Sequence, residues 1–176
     1  MAAAIANRQR AVHVSISRLR RAAQRALRAV GRPQADVEVD VVDDRQIRAL
    51  NERFRGVRRR TDVLAFPLAV SEGRPGFAGA SPSRKRGVKG GPSSPPSMLV
   101  GQIVISADTA RRQARRVGVP VAAELDLLVT HGVLHLVGYD DRDPVEADLM
   151  HRREREILSS ARRPQPDKLW TGLLHP

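Results

Sequence analysis

"VAAELDLLVTHGVLHLVG", Val121 to Gly138, is the stretch around which the rest of the chain has to be arranged. On a helical period Leu125, Leu128, Val129, Leu134 and Val137 leave it little polar face. A surface helix keeps one apolar stripe, whereas a helix that is apolar nearly all round is buried. The pattern therefore predicts a central helix enclosed by other elements. It starts near Pro120, a residue suited to the first turn, and stops at Gly138, which tolerates a left-handed conformation.

The elements expected to enclose it alternate in type. Val12 to Ile16 alternates like a short strand, and Ser17 can cap a helix running to about Val30, with Leu19, Ala23, Ala26 and Leu27 on its apolar stripe. "DVEVDVV", Asp36 to Val42, reads as a second strand. Asp43 or Asp44 then caps a helix with Ile47, Leu50 and Phe54 inward, closed by Gly56. "TDVLAFP" gives a third strand from Asp62 to Phe66 and "MLVGQIVIS" a fourth, joined as a wide hairpin. Ser106 caps a helix to about Val117, before Gly118. After the central helix "DPVE" opens another, with Asp143 as cap, Pro144 first and Glu146 as reciprocal partner, ending near Leu158. The order βαβαββααα describes an α+β single domain over residues 1–158, with one mixed four-stranded sheet and helices packed on it.

Between the third and fourth strands lies "SEGRPGFAGASPSRKRGVKGGPSSPPS", residues 71–97. Its composition offers too little apolar surface to offset the entropy of ordering it, so a mobile insertion is expected there. The tail, residues 159–176, is expected to be ordered only in part.

The chain has 176 residues, 41% of them apolar, enough for one real core. It has no cysteine, which excludes a disulfide framework, cysteine-ligated zinc and thiol catalysis. "MAAAIANRQRAVHVSIS" has no long apolar run ahead of its arginines, and no stretch approaches the roughly 18 to 20 apolar residues that span a bilayer. A soluble, cytoplasmic protein without a membrane partner is expected. The net charge of +12 favours a polyanion, because phosphates bound by arginine release condensed counterions. Arginines spread over solvated faces are the competing reading of that charge.

His131 and His135 stand at i and i+4 on the central helix, where Cβ atoms lie about 5 to 6 Å apart. Two imidazoles so placed can reach one zinc ion at about 2.0 to 2.1 Å. Past the Gly138 stop, Asp141 is placed to approach the same ion from the side. His151, about two turns into the following helix by the 3.6-residue period, is an alternative third ligand. The competing reading is a histidine pair that merely hydrogen-bonds inside the core. A zinc-peptidase helix carries a glutamate directly after its first histidine as general base; here that position is Gly132, so a peptidase would lack its base.

The segment from His131 to Asp140 resembles, without a gap, the H-G-x-L-H-L-x-G-Y-D-H signature of the YbeY family, metal-dependent endoribonucleases of bacterial ribosomal RNA processing. "LNERFRGVRRRTDVLAFP", Leu50 to Pro67, and "GQIVIS" resemble two further motifs of that family. Three features depart from the pattern: Asp141 stands where the family has its third histidine, Gln102 where it has Asp, and the basic insertion is long.

The resemblance implies a metal-dependent, single-strand-specific endoribonuclease acting in ribosomal RNA maturation and ribosome quality control, with the small ribosomal subunit as partner. It implies one ion held by His131, His135 and Asp141, with catalytic roles for His131 and Arg55. Zn2+ is the expected ion, and the harder carboxylate favours Mn2+ or Fe2+ more than three histidines would. Arg55, Arg58, Arg59 and Arg60, and the "RKRGVK" run from Arg84 to Lys89, would meet RNA phosphates. Asp62 could orient a ligand histidine, while Tyr139 and Asp140 serve the turn after Gly138. With 3% aromatic residues and Phe66 read as core, no broad base-stacking platform is expected. The alternative function is a non-catalytic, ribosome-associated RNA-binding or assembly factor whose metal site has decayed.

Overall fold

The computed structural model describes residues 3–68, 99–161 and 165–172, so the segment expected to be a mobile insertion lies outside the described residues. In chain order the elements are β1 (Ala3–Asn7), α1 (Ile16–Ala29), β2 (Asp36–Val42), α2 (Asp44–Arg55), β3 (Val63–Pro67), β4 (Leu99–Ser106), α3 (Ala107–Val117), α4 (Val121–Leu136) and α5 (Pro144–Ser159). A short 3-10 turn, Asp167–Gly172, follows. The strands form one sheet in the order β1-β2-β4-β3. β1, β2 and β4 are parallel, and β3 runs antiparallel to β4 at the edge. The α+β architecture and the mixed four-stranded sheet expected from the alternation of elements are the ones found.

Alternation along the strands divides the core. Val37, Val39 and Val41 of β2 and Ile103 and Ile105 of β4 share a core with α1 and α4. Val42, Leu64 and Val104 point to the other face, where Ile47 of α2 covers them. α4 lies against α1, α3, α5, β3 and β4, and twelve of its residues are buried, as its apolar circumference predicts. It approaches β4 closely, where a Cβ added at Gly132 would meet Ile103 Cγ2 at 2.7 Å. No single helix among the described residues is long and apolar enough to cross a membrane.

Several local expectations are corrected. The first strand is Ala3–Asn7, not Val12 to Ile16. Val12 is buried in a turn instead, its N–H donating to Gln9 Oε1 and its carbonyl accepting from Gln9 Nε2, both at 2.9 Å. Ser15, not Ser17, caps α1. Ile47 is fully buried, but Phe54 is 55% exposed and meets the sheet only through an edge-on contact with the Phe66 ring, centroids 5.1 Å apart. Pro120 is the N-cap of α4 rather than its first residue. Asp143 caps α5 by accepting from the N–H groups of Val145 and Glu146, without the return bond expected from Glu146. The closing turn buries Leu169 in a small core with Ala114, Leu127 and Leu158.

Candidate metal centre

The site is built where α4 stops. His131 and His135 leave the same face of its last turns, and the chain then reverses through Gly138 at φ 101°. Tyr139 N–H donates back to the Leu134 carbonyl at 3.1 Å, which folds the loop under the helix end. Asp140 steadies the turn by accepting from Arg142 N–H at 3.2 Å. Asp141 thereby returns beneath the two imidazoles. The two Nε2 atoms are 2.9 Å apart, and Asp141 Oδ2 stands 3.7 Å from that of His131 and 3.9 Å from that of His135.

The outer ring nitrogens decide what these atoms are. His131 Nδ1 is 2.6 Å from Glu154 Oε1, and His135 Nδ1 is 2.9 Å from the Tyr139 carbonyl oxygen. A carbonyl oxygen only accepts. Glu154 stays ionised as well: burial works against its charge, but His131 and His151 outweigh that and hold the carboxyl below its usual range. Both Nδ1 atoms are therefore N–H donors, and when the rings are neutral their two Nε2 lone pairs face each other, with a carboxylate beside them. Lone pairs 2.9 Å apart repel unless a cation or proton lies between them.

The donor set fits a metal ion. The three ligand atoms all lie within 4.8 Å of one another. Tetrahedral zinc with bonds of about 2.0 to 2.1 Å has ligand edges of roughly 3.3 Å, within the range the three separations span. Two histidines and one carboxylate also form a known catalytic set that leaves a fourth position open. Absent an ion, a proton takes part of the role. Burial opposes charging His131, but the hydrogen bond and charge of Glu154, with Asp62 and Asp141 nearby, raise its pKa. Burial and the neighbouring His131 charge lower that of His135.

The donors open into a cavity of about 320 Å³ that is also lined by Arg55, Thr61, Asp62, Tyr139, Asp140 and Arg142. Arg55 ends α2, where Gly56 in the left-handed conformation at φ 69° turns the chain. The buried Asn51 donates from Nδ2 to the Arg59 carbonyl at 2.8 Å and pins the following loop back onto the helix. Local sequence thus sets Arg55 in the lining of the same cavity as the candidate metal donors.

Of the sequence-predicted residues, the fold brings together His131, His135, Asp141 and Arg55. Arg58, Arg59 and Arg60 do not line the cavity. Arg58 pairs with Glu52 at 3.7 Å and Arg60 with Asp44 at 3.5 Å, both near the surface. His151 is not a third ligand: its Nδ1 bonds Glu154 Oε2 at 3.0 Å, and it lies outside the donor cluster. Asp62 orients no ligand histidine; its oxygens accept from Val63 N–H, the Thr61 hydroxyl and Gln113 Nε2. Gln102 donates to Asp40 at 3.1 Å and alternates with Ile103, away from α4. The run from Arg84 to Lys89 lies outside the described residues.

Sequence reading missed Glu154. The available signal was a glutamate on the apolar stripe that Met150, Ile157 and Leu158 trace along α5, where an aliphatic residue would be ordinary.

A family profile described as endoribonuclease YbeY matches residues 4–162. A protein named endoribonuclease YbeY from Syntrophus aciditrophicus is 36% identical over 160 residues, covering 90% of this chain and 88% of that one. One from Geobacter metallireducens is 35% identical over 161 residues, covering 90% and 95%. One from an Anaeromyxobacter species is 42% identical over 140 residues, covering 80% of this chain and 62% of the longer relative. The solution structure of a Thermotoga maritima protein is 22% identical, with a TM-score of 0.54 over 96% of this chain and 89% of that one. At that identity it shares the fold alone.

Proposed function

The chain belongs to the endoribonuclease YbeY family, and from that premise we propose that it is a metal-dependent hydrolase of single-stranded RNA. In this reading its substrate is ribosomal RNA, its setting is ribosomal RNA maturation and ribosome quality control in the cytoplasm, and its partner is the small ribosomal subunit. One observation carries the metal dependence. Both outer imidazole nitrogens are committed to acceptors, so two lone pairs and a carboxylate are left to converge on one point. A core histidine pair would bond to its surroundings and need no cation.

His131, His135 and Asp141 would hold the ion, with Zn2+ expected and Mn2+ or Fe2+ favoured by the carboxylate more than by a third imidazole. Such an ion supplies a Lewis acid and an acidified water. The remaining work belongs to the chain's own groups. Arg55 lines the same cavity, and its guanidinium can bind two phosphate oxygens at once while staying protonated. In this reading it meets the negative charge that grows on phosphorus during displacement. Arg58 holds the exposed Glu52, a pair worth about 0 to 1 kcal/mol. Arg60 reaches the half-buried Asp44, which Arg112 already pairs at 2.7 Å, so phosphates can replace both contacts at little cost. The two arginines suit the flanking backbone of the RNA rather than the scissile group.

Metal content and cleavage of a single-stranded RNA, measured together on the native chain, His131→Ala, Asp141→Ala and Asp141→His, test this reading. The expected result is about one equivalent of metal with cleavage in the native chain, with both lost in His131→Ala. Asp141→Ala should lose most of both, and Asp141→His should retain them. Full metal and full activity in Asp141→Ala would remove Asp141 from the site. RNA binding without metal or cleavage in the native chain would leave a non-catalytic RNA-binding factor.

A further inference from the structure

Glu154 stands where a carboxylate is costly. α5 buries Met150, Glu154, Ile157 and Leu158 along one face, and Glu154 is 0% exposed. Histidines from two helices take its two oxygens: His131 Nδ1 from α4 meets Oε1 at 2.6 Å, and His151 Nδ1 on α5 itself meets Oε2 at 3.0 Å. Among the described residues no arginine or lysine forms an ion pair with it. A buried pair of this kind commonly adds no more stability than apolar side chains of the same volume. Methionine would continue the stripe that Met150 begins. Stability is therefore a poor reason for a glutamate here, and its bond to His131 offers a better one.

The His131 ring has two neutral forms with opposite consequences. With the proton on Nδ1, Nε2 offers a lone pair to the shared point. With the proton on Nε2, His131 donates across 2.9 Å to His135 or toward Asp141, and the three groups close into a hydrogen-bonded knot with no place for a cation. A carboxylate oxygen 2.6 Å from Nδ1 takes a hydrogen bond there and so selects the first form. His151, 22% exposed, occupies the second oxygen and so keeps the first aimed at His131.

We propose that Glu154, itself held by His151, is a positioning residue that fixes the His131 tautomer and makes Nε2 a stronger metal donor. This deepens the metal-site reading and rests on it for the affinity measurement below. The tautomer measurement does not depend on that reading.

Three full-length chains decide it: native, Glu154→Gln and Glu154→Met. Long-range proton–nitrogen correlation on 15N-histidine protein, metal-free and at a pH where the ring is neutral, reads the tautomer directly. His131 is expected as the Nδ1–H form in the native chain and as the Nε2–H form in Glu154→Met. Zinc affinity, read by competition with a chromophoric chelator, should fall about tenfold in Glu154→Gln and about a hundredfold in Glu154→Met, the span seen when such outer partners are lost. The melting temperature of the metal-free protein should change little in Glu154→Gln, which a merely structural role would not allow alongside weakened binding. A native His131 in the Nε2–H form overturns the proposal, as does Glu154→Gln binding zinc within twofold of native. If Glu154→Met does not fold, the glutamine variant alone decides. If the native chain binds no zinc, the functional reading fails while the tautomer result still settles the role of Glu154.

Discussion

Glu124 shows how far one position in this core departs from ordinary solution chemistry. It lies on α4 among buried residues, where burial and the nearby Asp62 charge, only partly offset by Arg116, push its carboxyl up to about 7. In the unfolded chain a glutamate titrates near 4.5. Between those values the folded state holds a proton that the unfolded state has released. The group's stability contribution is thus fully present below the unfolded value and declines as pH rises toward 7. Glu124→Gln removes the titration and keeps the shape. Urea unfolding should then show the native chain losing on the order of 3 kcal/mol relative to the variant between about pH 4.5 and 7.5. Parallel pH profiles for the two proteins would mean that Glu124 is solvated in the folded state. At this scale the convergence of His131, His135 and Asp141 was legible because helix period, glycine stop and short turn all act within a few residues of His131. Glu154 was not, since α5 brings it to His131 through packing that no local pattern encodes.

Among the elements, α4 and β4 pack together through a small residue. Gly132 lacks the catalytic carboxylate of a peptidase, and its packing explains what it is for: its missing Cβ lets α4 settle against Ile103, with Cγ2 only 2.7 Å from where that Cβ would stand. Ile103 is β-branched and fully buried, so it has little room to turn away. Gly132→Ala gains about 1 kcal/mol of helix propensity and loses about 1 to 3 kcal/mol to overpacking. A net loss of about 1 kcal/mol is expected in chemical denaturation, together with weaker metal binding as His131 and His135 are pushed off the sheet. A stabilised variant with native metal affinity would show that the helix has slack. Asp43, Ser106, Gly56 and Gly118 were legible as caps because they act on their own neighbours, whereas Ser17 lost the α1 cap to Ser15 and Glu146 makes no return bond to Asp143. β1 was illegible for the opposite reason. "AAIAN" is alanine-rich, with weak strand preference, and it becomes a strand through parallel pairing with Val37 to Val41. The alternation at Val12 to Ile16 misled because Gln9 buries Val12 in a turn.

At the scale of the molecule the question is how a site containing Asp140, Asp141 and a buried glutamate receives a polyanion. A net charge of +12 provides the general attraction, but the arrangement of arginines separates two roles. Arg55 shares the cavity with the metal donors, whereas Arg58 and Arg60 stand outside it with side chains 72% and 66% exposed. Substitutions should therefore act differently. Arg55→Ala should lower kcat for RNA cleavage about a hundredfold, the cost of losing one donor to a developing charge, with metal content unchanged. Replacing Arg58, Arg59 and Arg60 by glutamine should leave kcat near native and raise KM. Single-strand binding loses about 0.7 in log–log salt slope for each phosphate contact removed, so the triple variant should be about two units shallower than native. A native chain contacting four phosphates should itself weaken about fiftyfold between 50 and 200 mM salt. If the triple variant keeps the native slope, the exposed arginines hold Glu52 and Asp44 rather than RNA. If Arg55→Ala changes KM alone, Arg55 binds the substrate without stabilising the charge that develops at phosphorus.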